Sequence, residues 1–378
     1  KAENLIRNSV DLEMPFKNIL KTFHPKPIDE ERAELFGYLA GKEIMARRGP
    51  SYDARKHCLA HKLPELAIGW EDFKRLTADG NAAELDVPEV NYLQVAGLNL
   101  TQEQWEQVIG RMGWHALRIN AKSMADKGIY ATGSNKATCL ACKRLSDPEL
   151  IKKSNVFPYQ AMIAHRMFSQ SHGLDHPLSK ALENALNFSL GNVPQVNGKL
   201  LIAVDISGSM NSPVTGKNDK PSVVSCRDVG CLMASCLHAV NPTCKVASFH
   251  TIAREVKLRE EASILQNLSH FVGSGGTACS APLAMWNSQG QMGDVVILVS
   301  DYESWQDGTH KSGTALMNEW IKFKQRNPKA KLICVDLEPK TTRQANPNPD
   351  IMCVGGFSDA VFDAMITFAI SDLGTSLV

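Results

Sequence analysis

The 378-residue sequence has almost no net charge, with 41 Lys and Arg against 40 Asp and Glu. That balance removes any whole-chain argument for nucleic acid or an anionic membrane, so local clusters must carry such binding. Long apolar runs are missing too, since none approaches the roughly 18–20 residues that a bilayer span requires. The opening KAENLIRNSV has no signal-peptide core, and it begins without Met, as a fragment or processed form does. Metal-site spacing is scarce: Cys139 and Cys142 form one CxxC, with no second Cys or His pair at zinc-site spacing. Most of the other cysteines lie in apolar segments such as CLMASC and LICVDL, a pattern of free thiols in a reducing, cytoplasmic setting. The loop GSGGT has no P-loop Lys, and SGSM is not a G-x-S-x-G nucleophile elbow.

The length suits two domains, and 43% hydrophobic with 21% charged residues suits buried cores. Up to about residue 195 the apolar period is helical. Phe16, Ile19, Leu20 and Phe23 recur at helical spacing, as do Trp105, Val108, Ile109 and Met112 behind a Thr101–Gln104 capping box. Leu35, Phe36 and Leu39 mark a helix behind Asp29 and the acidic turn EER. Convincing strands are absent there. Successive amphipathic helices with short Pro/Gly breaks predict a HEAT-like helical-repeat array, in which each helix pair buries its stripe on a neighbour.

Near GNVPQVNGK the rhythm changes, and residues 191–198 read as a linker between domains at 1–190 and 199–378. Short runs follow: LLIAVD, CKVASFH, DVVILVSD and KLICVDL, then IMCV as an edge strand. Apolar on both faces and alternating with helices, they predict an α/β doubly wound domain with a mostly parallel sheet. Ligands collect at the carboxyl ends of such strands. Three pieces end there: Asp205-x-Ser207-x-Ser209, the loop holding Thr277, and Asp301. An oxygen-only set of this kind suits a hard divalent cation, Mg²⁺ above all. The bland reading is a polar strand end whose hydroxyls cap the next helix.

VDISGSM, the GGT loop and the strand ending in Asp301 resemble the metal-ion-dependent adhesion site of von Willebrand factor A domains. That resemblance implies that Ser207, Ser209 and Thr277 coordinate the ion, with Asp205 and Asp301 acting directly or through water. In the helical half, ILKTFHPKP, GWHALRINAKSMADKGI and VFPYQAMIAHRM resemble segments of the Ro autoantigen family of TROVE-domain RNA-binding proteins. VGGFSDAVFDAMITF resembles that family's carboxyl-terminal segment. The resemblance implies a ring of helical repeats closed by the A-type domain. It also implies small structured Y-type RNA on the outer face and single-stranded ends of misfolded RNA in the hole. Two departures stand out: the family carries further helices ahead of the segment at ILKTFHPKP, and it often has Asp where this chain has Ala278.

Residues 1–195 hold 25 Lys and Arg against 23 Asp and Glu, so RNA contact must rest on clusters. The densest is ARRGPSYDARKHCLAHK, with Arg47, Arg48, Arg55 and Lys56. His115, Arg118 and Lys122 line one face of a helix whose other stripe holds Trp114, Leu117, Ala121 and Met124. A charged face opposite a core stripe is ordinarily just solvated. His24 precedes Pro25 and marks a helix end. The family resemblance adds it and Lys26 as RNA contacts, with Arg7 as a weaker candidate. No DNA or membrane partner is expected. The competing reading is a protein-interaction scaffold that grips an acidic partner residue through the metal. No nucleophile–base set or carboxylate pair points to an enzyme.

Overall fold

The start signals in the sequence act as such in the folded chain. Asp29 accepts a hydrogen bond from the Arg32 amide at 2.6 Å, and Thr101 and Gln104 close a reciprocal capping box. The computed structural model describes residues 2–7, 16–130, 135–215, 221–301, 315–338, 345, 348–357 and 359–370. They form two compact units, Lys1–Arg144 and Leu145–Val378.

The first unit is built from α1 (Ala2–Arg7), α2 (Phe16–Phe23), α3 (Glu30–Leu39), α4 (Glu65–Ala78), α5 (Tyr92–Val95), α6 (Gln102–Arg111), α7 (Trp114–Asp126) and α8 (Lys136–Leu145). Each buries one stripe: Trp114, Leu117, Ala121 and Met124 of α7 are all but inaccessible. Contrary to the expectation of helices alone, β1 (Glu43–Met45) and β2 (His57–Leu59) form a parallel pair with Ile44 opposite Cys58. Three-residue strands are too short to display an alternating period, so the sequence carries no usable signal for them.

The second unit opens with α9 (Pro148–Lys153), α10 (Pro158–His172) and α11 (Pro177–Phe188). Then come β3 (Leu200–Asp205), α12 (Cys226–Val240), β4 (Lys245–Phe249), β5 (Ala253–Val256), α13 (Ile264–Leu268), α14 (Ala281–Ser288), β6 (Val295–Ser300), α15 (Ala315–Arg326), β7 (Lys331–Asp336), β8 (Ile351–Gly355) and α16 (Asp359–Ile370). The sheet order is β5-β4-β3-β6-β7-β8, parallel except for β5. Every residue of β3, β6 and β7 is buried, as a sheet covered on both faces requires. The strand β5 leaves no clear mark in the sequence because AREV is a half-exposed edge, antiparallel and polar.

The compact units divide at 144/145, whereas the change of rhythm lies near 191–198. Helices α9 to α11 therefore pack with the sheet that follows them. Phe157 stacks on Phe362 of α16 at 6.0 Å, and Tyr159 meets Phe357 edge-on at 4.9 Å. Residues 191–198 are packed as well, with Val193 and Val196 buried and the Val196 amide donating to Asn241 Oδ1 at 2.8 Å.

His165 on α10 is buried, and its Nδ1 has no hydrogen-bond partner. Burial lowers its pKa, Arg166 adds to that shift, and Glu183 opposes it. As pH falls below the ordinary histidine value of about 6.5, the unfolded chain takes up this proton first, and stability drops. Thermal melts should thus show the wild type losing stability from pH 7 to pH 5, and His165→Gln losing less. Parallel losses in the two proteins would assign the acid sensitivity to other groups.

Candidate functional site

Asp205 ends β3 and is fully buried. The Ile206 amide donates to Phe249 O at 2.8 Å, which holds the chain against β4 for one more residue. The Ser207 amide then donates to Asp205 Oδ1 at 2.8 Å, and Ser300 Oγ donates to Asp205 Oδ2 at 2.7 Å. Ser207 Oγ and Ser209 Oγ lie 3.2 Å apart. Ser209 begins a single tight turn, Ser209–Asn211, that redirects the chain.

Two backbone bonds bring the Thr277 loop to this strand end. The Gly208 amide donates to Gly275 O at 3.1 Å, and the Ala278 amide donates to His250 O at 2.8 Å. Gly275 has φ +157, and a Cβ there would lie 2.9 Å from His250 Nδ1. A larger residue would push the loop away from the site. Asp301 follows β6, the other neighbour of β3. The chain leaves β3 for β4 on one side while β6 lies on the other, so the strand ends meet at a topological switch point.

Asp205, Ser207, Thr277 and Asp301 are buried and Ser209 is half-buried, and the sheet order and backbone bonds above bring the segments that carry all five to one pole of the sheet. Burial pushes the Asp205 carboxyl up to about 6, a shift that Asp301 increases and that hydrogen bonds from Ser300 and Ser207 oppose. Asp301 Oδ1 is buried without a hydrogen-bond partner. A buried, unsatisfied carboxylate oxygen beside hydroxyls and a second carboxylate is the environment that a hard cation satisfies. The donor chemistry therefore fits the group expected from the sequence. Among the described residues no cluster of three or more His, Cys, Asp or Glu has metal-binding form. A site with two acids and three hydroxyls falls outside that pattern.

Sequence reasoning passed over Ser300, whose hydroxyl holds Asp205. The available signal was a hydroxyl residue immediately before the Asp that ends a strand. It also passed over Arg227, which reaches the carbonyls of Phe271 and Gly273 on the Thr277 loop. Nothing in the sequence pairs residues so far apart.

The proposed RNA contacts all lie in the first unit, on three elements, and none is buried. His24 and Lys26 are exposed just past the end of α2, and His24 has φ +43, a turn conformation rather than a helical one. Arg47, Arg48, Arg55 and Lys56 are exposed on the connection between β1 and β2. Arg48 pairs with Glu30 at 3.6 Å and lies over the Tyr52 ring, whereas Arg55 and Lys56 have no ion-pair partner among the described residues. His115, Arg118 and Lys122 are half-exposed on α7. Arg118 Nε reaches His115 Nδ1 at 3.3 Å, and its guanidinium lies over Trp114. Lys122 pairs with Asp126 at 2.7 Å. The weaker candidate Arg7 is held by Glu89. All ten cysteines are free, and no helix of the described residues is long and apolar enough to cross a membrane.

A mostly parallel sheet with an Asp-x-Ser-x-Ser loop, a Thr loop and an Asp-ended strand converging at its carboxyl edge defines a von Willebrand factor A-type domain. Residues 199–369 match the family described as the Ro60 vWA domain. Among similar proteins is the RNA-binding protein RO60 of Deinococcus radiodurans, 25% identical over 264 residues, which are 66% of this chain and 48% of that protein. RNA-binding protein RO60 of Caenorhabditis elegans is 24% identical over 200 residues, 50% of this chain and 30% of that one. The chain thus spans about half the length, or less, of these curated relatives. Its fold is similar to that of the crystal structure of the Deinococcus radiodurans RO (RSR) protein, with a TM-score of 0.67 at 19% identity, covering 98% of this chain and 73% of that one. The A-type part of this chain is thus similar to the vWA domain of the Ro family, and the chain is similar over a longer stretch to proteins named RO60.

Proposed function

We propose that this protein binds RNA through its helical half and holds a divalent cation in its A-type domain. The RNA assignment is carried by relatives named as RNA-binding proteins and is supported by accessible cations grouped on the first unit. The RNA class is small and structured, of the Y type, together with single-stranded ends of misfolded non-coding RNA. Exposed Arg, Lys and His side chains act on phosphates by charge, while rigid helices set the shape that is recognised. The role is binding rather than catalysis, in cytoplasmic RNA quality control or ribonucleoprotein assembly, with the helical repeats forming part of a ring.

The cation reading is carried by the buried orphan oxygen of Asp301. Ser207, Ser209 and Thr277 would hold Mg²⁺ through their hydroxyls, with Asp205 and Asp301 acting directly or through water. When bound, the ion neutralises two buried carboxylates and leaves a coordination position for a partner's oxygen. Crosslinking the protein to RNA in cells and sequencing the recovered fragments tests the RNA assignment and identifies the ligand together. Small structured RNAs should be enriched, and recovery at the level of a non-binding control would reject the assignment.

One observation favours a second reading, a scaffold for an acidic protein partner. Val272, on the stretch that leads to Thr277, is 74% exposed and offers apolar surface to a partner. A partner that is retained after RNase treatment and lost with a chelator would support this role.

A further inference from the structure

The first turn of α12 touches both loops of the candidate cation site. On one side the Cys226 amide donates to Ser212 O at 3.0 Å, and Pro213 bridges to Ser225, which ties the turn to the segment after Ser209. On the other side Arg227 Nη1 donates to Gly273 O at 3.1 Å, and Nη2 donates to Phe271 O. Those two carbonyls belong to the stretch that leads to Thr277. This stretch has no regular secondary structure, so its path is set by individual contacts: the backbone bonds at Gly275 and Ala278, and the bonds that Arg227 makes. At Gly273, with φ +148, a Cβ would lie 2.7 Å from Ile206 Cδ1, so the loop runs close against the first strand end. Arg227 thus grips the loop at a point where it has little room to relax.

The same turn is braced from α10. Both terminal guanidinium nitrogens of Arg166, Nη1 and Nη2, donate to the Asp228 carboxylate, at 2.6 Å each. Asp228 also closes the reciprocal cap of α12 by accepting from the Ser225 amide and hydroxyl at 2.9 and 2.8 Å. The pair is about three-quarters buried on both sides, with exposures of 29% and 23%. A bidentate Arg–carboxylate pair fixes direction as well as distance. Arg166 therefore sets the orientation of the turn from which Arg227 reaches out.

We infer that Arg227 is a positioning residue for the cation site, holding the Thr277 loop in register with Ser207 and Ser209, and that Arg166 positions Arg227 through Asp228. The inference rests on the cation reading above. A helix ahead of the sheet then governs a site at the sheet's edge, and cation occupancy should be felt in α10.

The test is calorimetric titration of Mg²⁺ and Mn²⁺ into the wild type, Arg227→Gln, Arg227→Lys, Arg166→Gln and the ligand control Ser209→Ala, each first shown to be folded by its melting transition. Arg227→Gln should weaken binding about tenfold, the factor that a lost charge-assisted bond of this kind carries. Arg227→Lys should recover part of that loss, because an ammonium can still reach one carbonyl. Arg166→Gln should weaken binding by a smaller factor. Hydrogen exchange separates positioning from general destabilisation: cation should protect residues 270–278 and α10 in the wild type, and protection of α10 should vanish in Arg166→Gln. No binding by the wild type would overturn the cation reading itself. Equal affinity in the wild type and Arg227→Gln would overturn this inference and leave that reading intact. If Arg227→Gln cannot fold, Arg227→Lys and Arg166→Gln decide it by the same titrations.

Discussion

Asp301→Asn is expected to rank differently against the wild type with and without cation. In cation-free buffer the substitution removes charge from a carboxylate whose Oδ1 is buried and has no hydrogen-bond partner. Stability should hold or rise, because an uncompensated buried charge is costly. With Mg²⁺ or Mn²⁺ at a hundred times its dissociation constant the wild type gains about 2.7 kcal/mol from binding. The variant, with one carboxylate missing from the donor set, gains little. Melting curves in EDTA and in saturating cation should therefore cross in order. Ser207→Ala acts in the same direction, with a smaller effect because hydroxyl and water oxygens are closer substitutes. An equal cation shift in the wild type and Asp301→Asn would remove Asp301 from the site.

Reversing Arg55, Lys56, Arg118 and Lys122 to Glu is expected to lower RNA affinity by about a hundredfold or more at moderate salt. The log–log salt dependence should also flatten by about one unit for each phosphate that the protein no longer neutralises. The structure ranks these four positions. Arg55 and Lys56 are exposed and have no ion-pair partner among the described residues, so their charge is available to phosphate. Lys122 already pairs with Asp126, and Arg118 is engaged with His115 and Trp114. The Arg55/Lys56 double reversal should account for most of the drop in affinity, with Lys122→Glu the mildest single change. Filter binding across a salt series measures both quantities. Unchanged affinity in the fourfold variant would reject these surfaces as the RNA interface.

Much of the second unit was legible because its signals are local. Buried parallel strands must be apolar on both faces, so LLIAVD, DVVILVSD and KLICVDL could be read directly as β3, β6 and β7. Helix starts were legible for the same reason, since a cap joins residues three apart, as at Asp29–Arg32 and Thr101–Gln104. Elements that owe their existence to a distant partner left no such trace. The pair β1/β2 is three residues a side and is held by register across a connection, and β5 is a polar edge held by β4. The packing of α9 to α11 with the sheet was equally silent, because an apolar stripe does not specify which surface covers it.

The candidate site divides in the same way. The sequence by itself determined the oxygen donors, their order along the chain and their position at strand ends, because residue type and strand periodicity are local properties. Only the tertiary structure decided that Ser300 holds Asp205, that Asp301 keeps a buried oxygen without a partner, that Arg227 bonds to the Thr277 loop, and that Arg166 pairs with Asp228. These contacts join residues tens of positions apart in the chain. They arise from sheet order and helix packing, which side-chain pattern constrains but does not encode residue by residue.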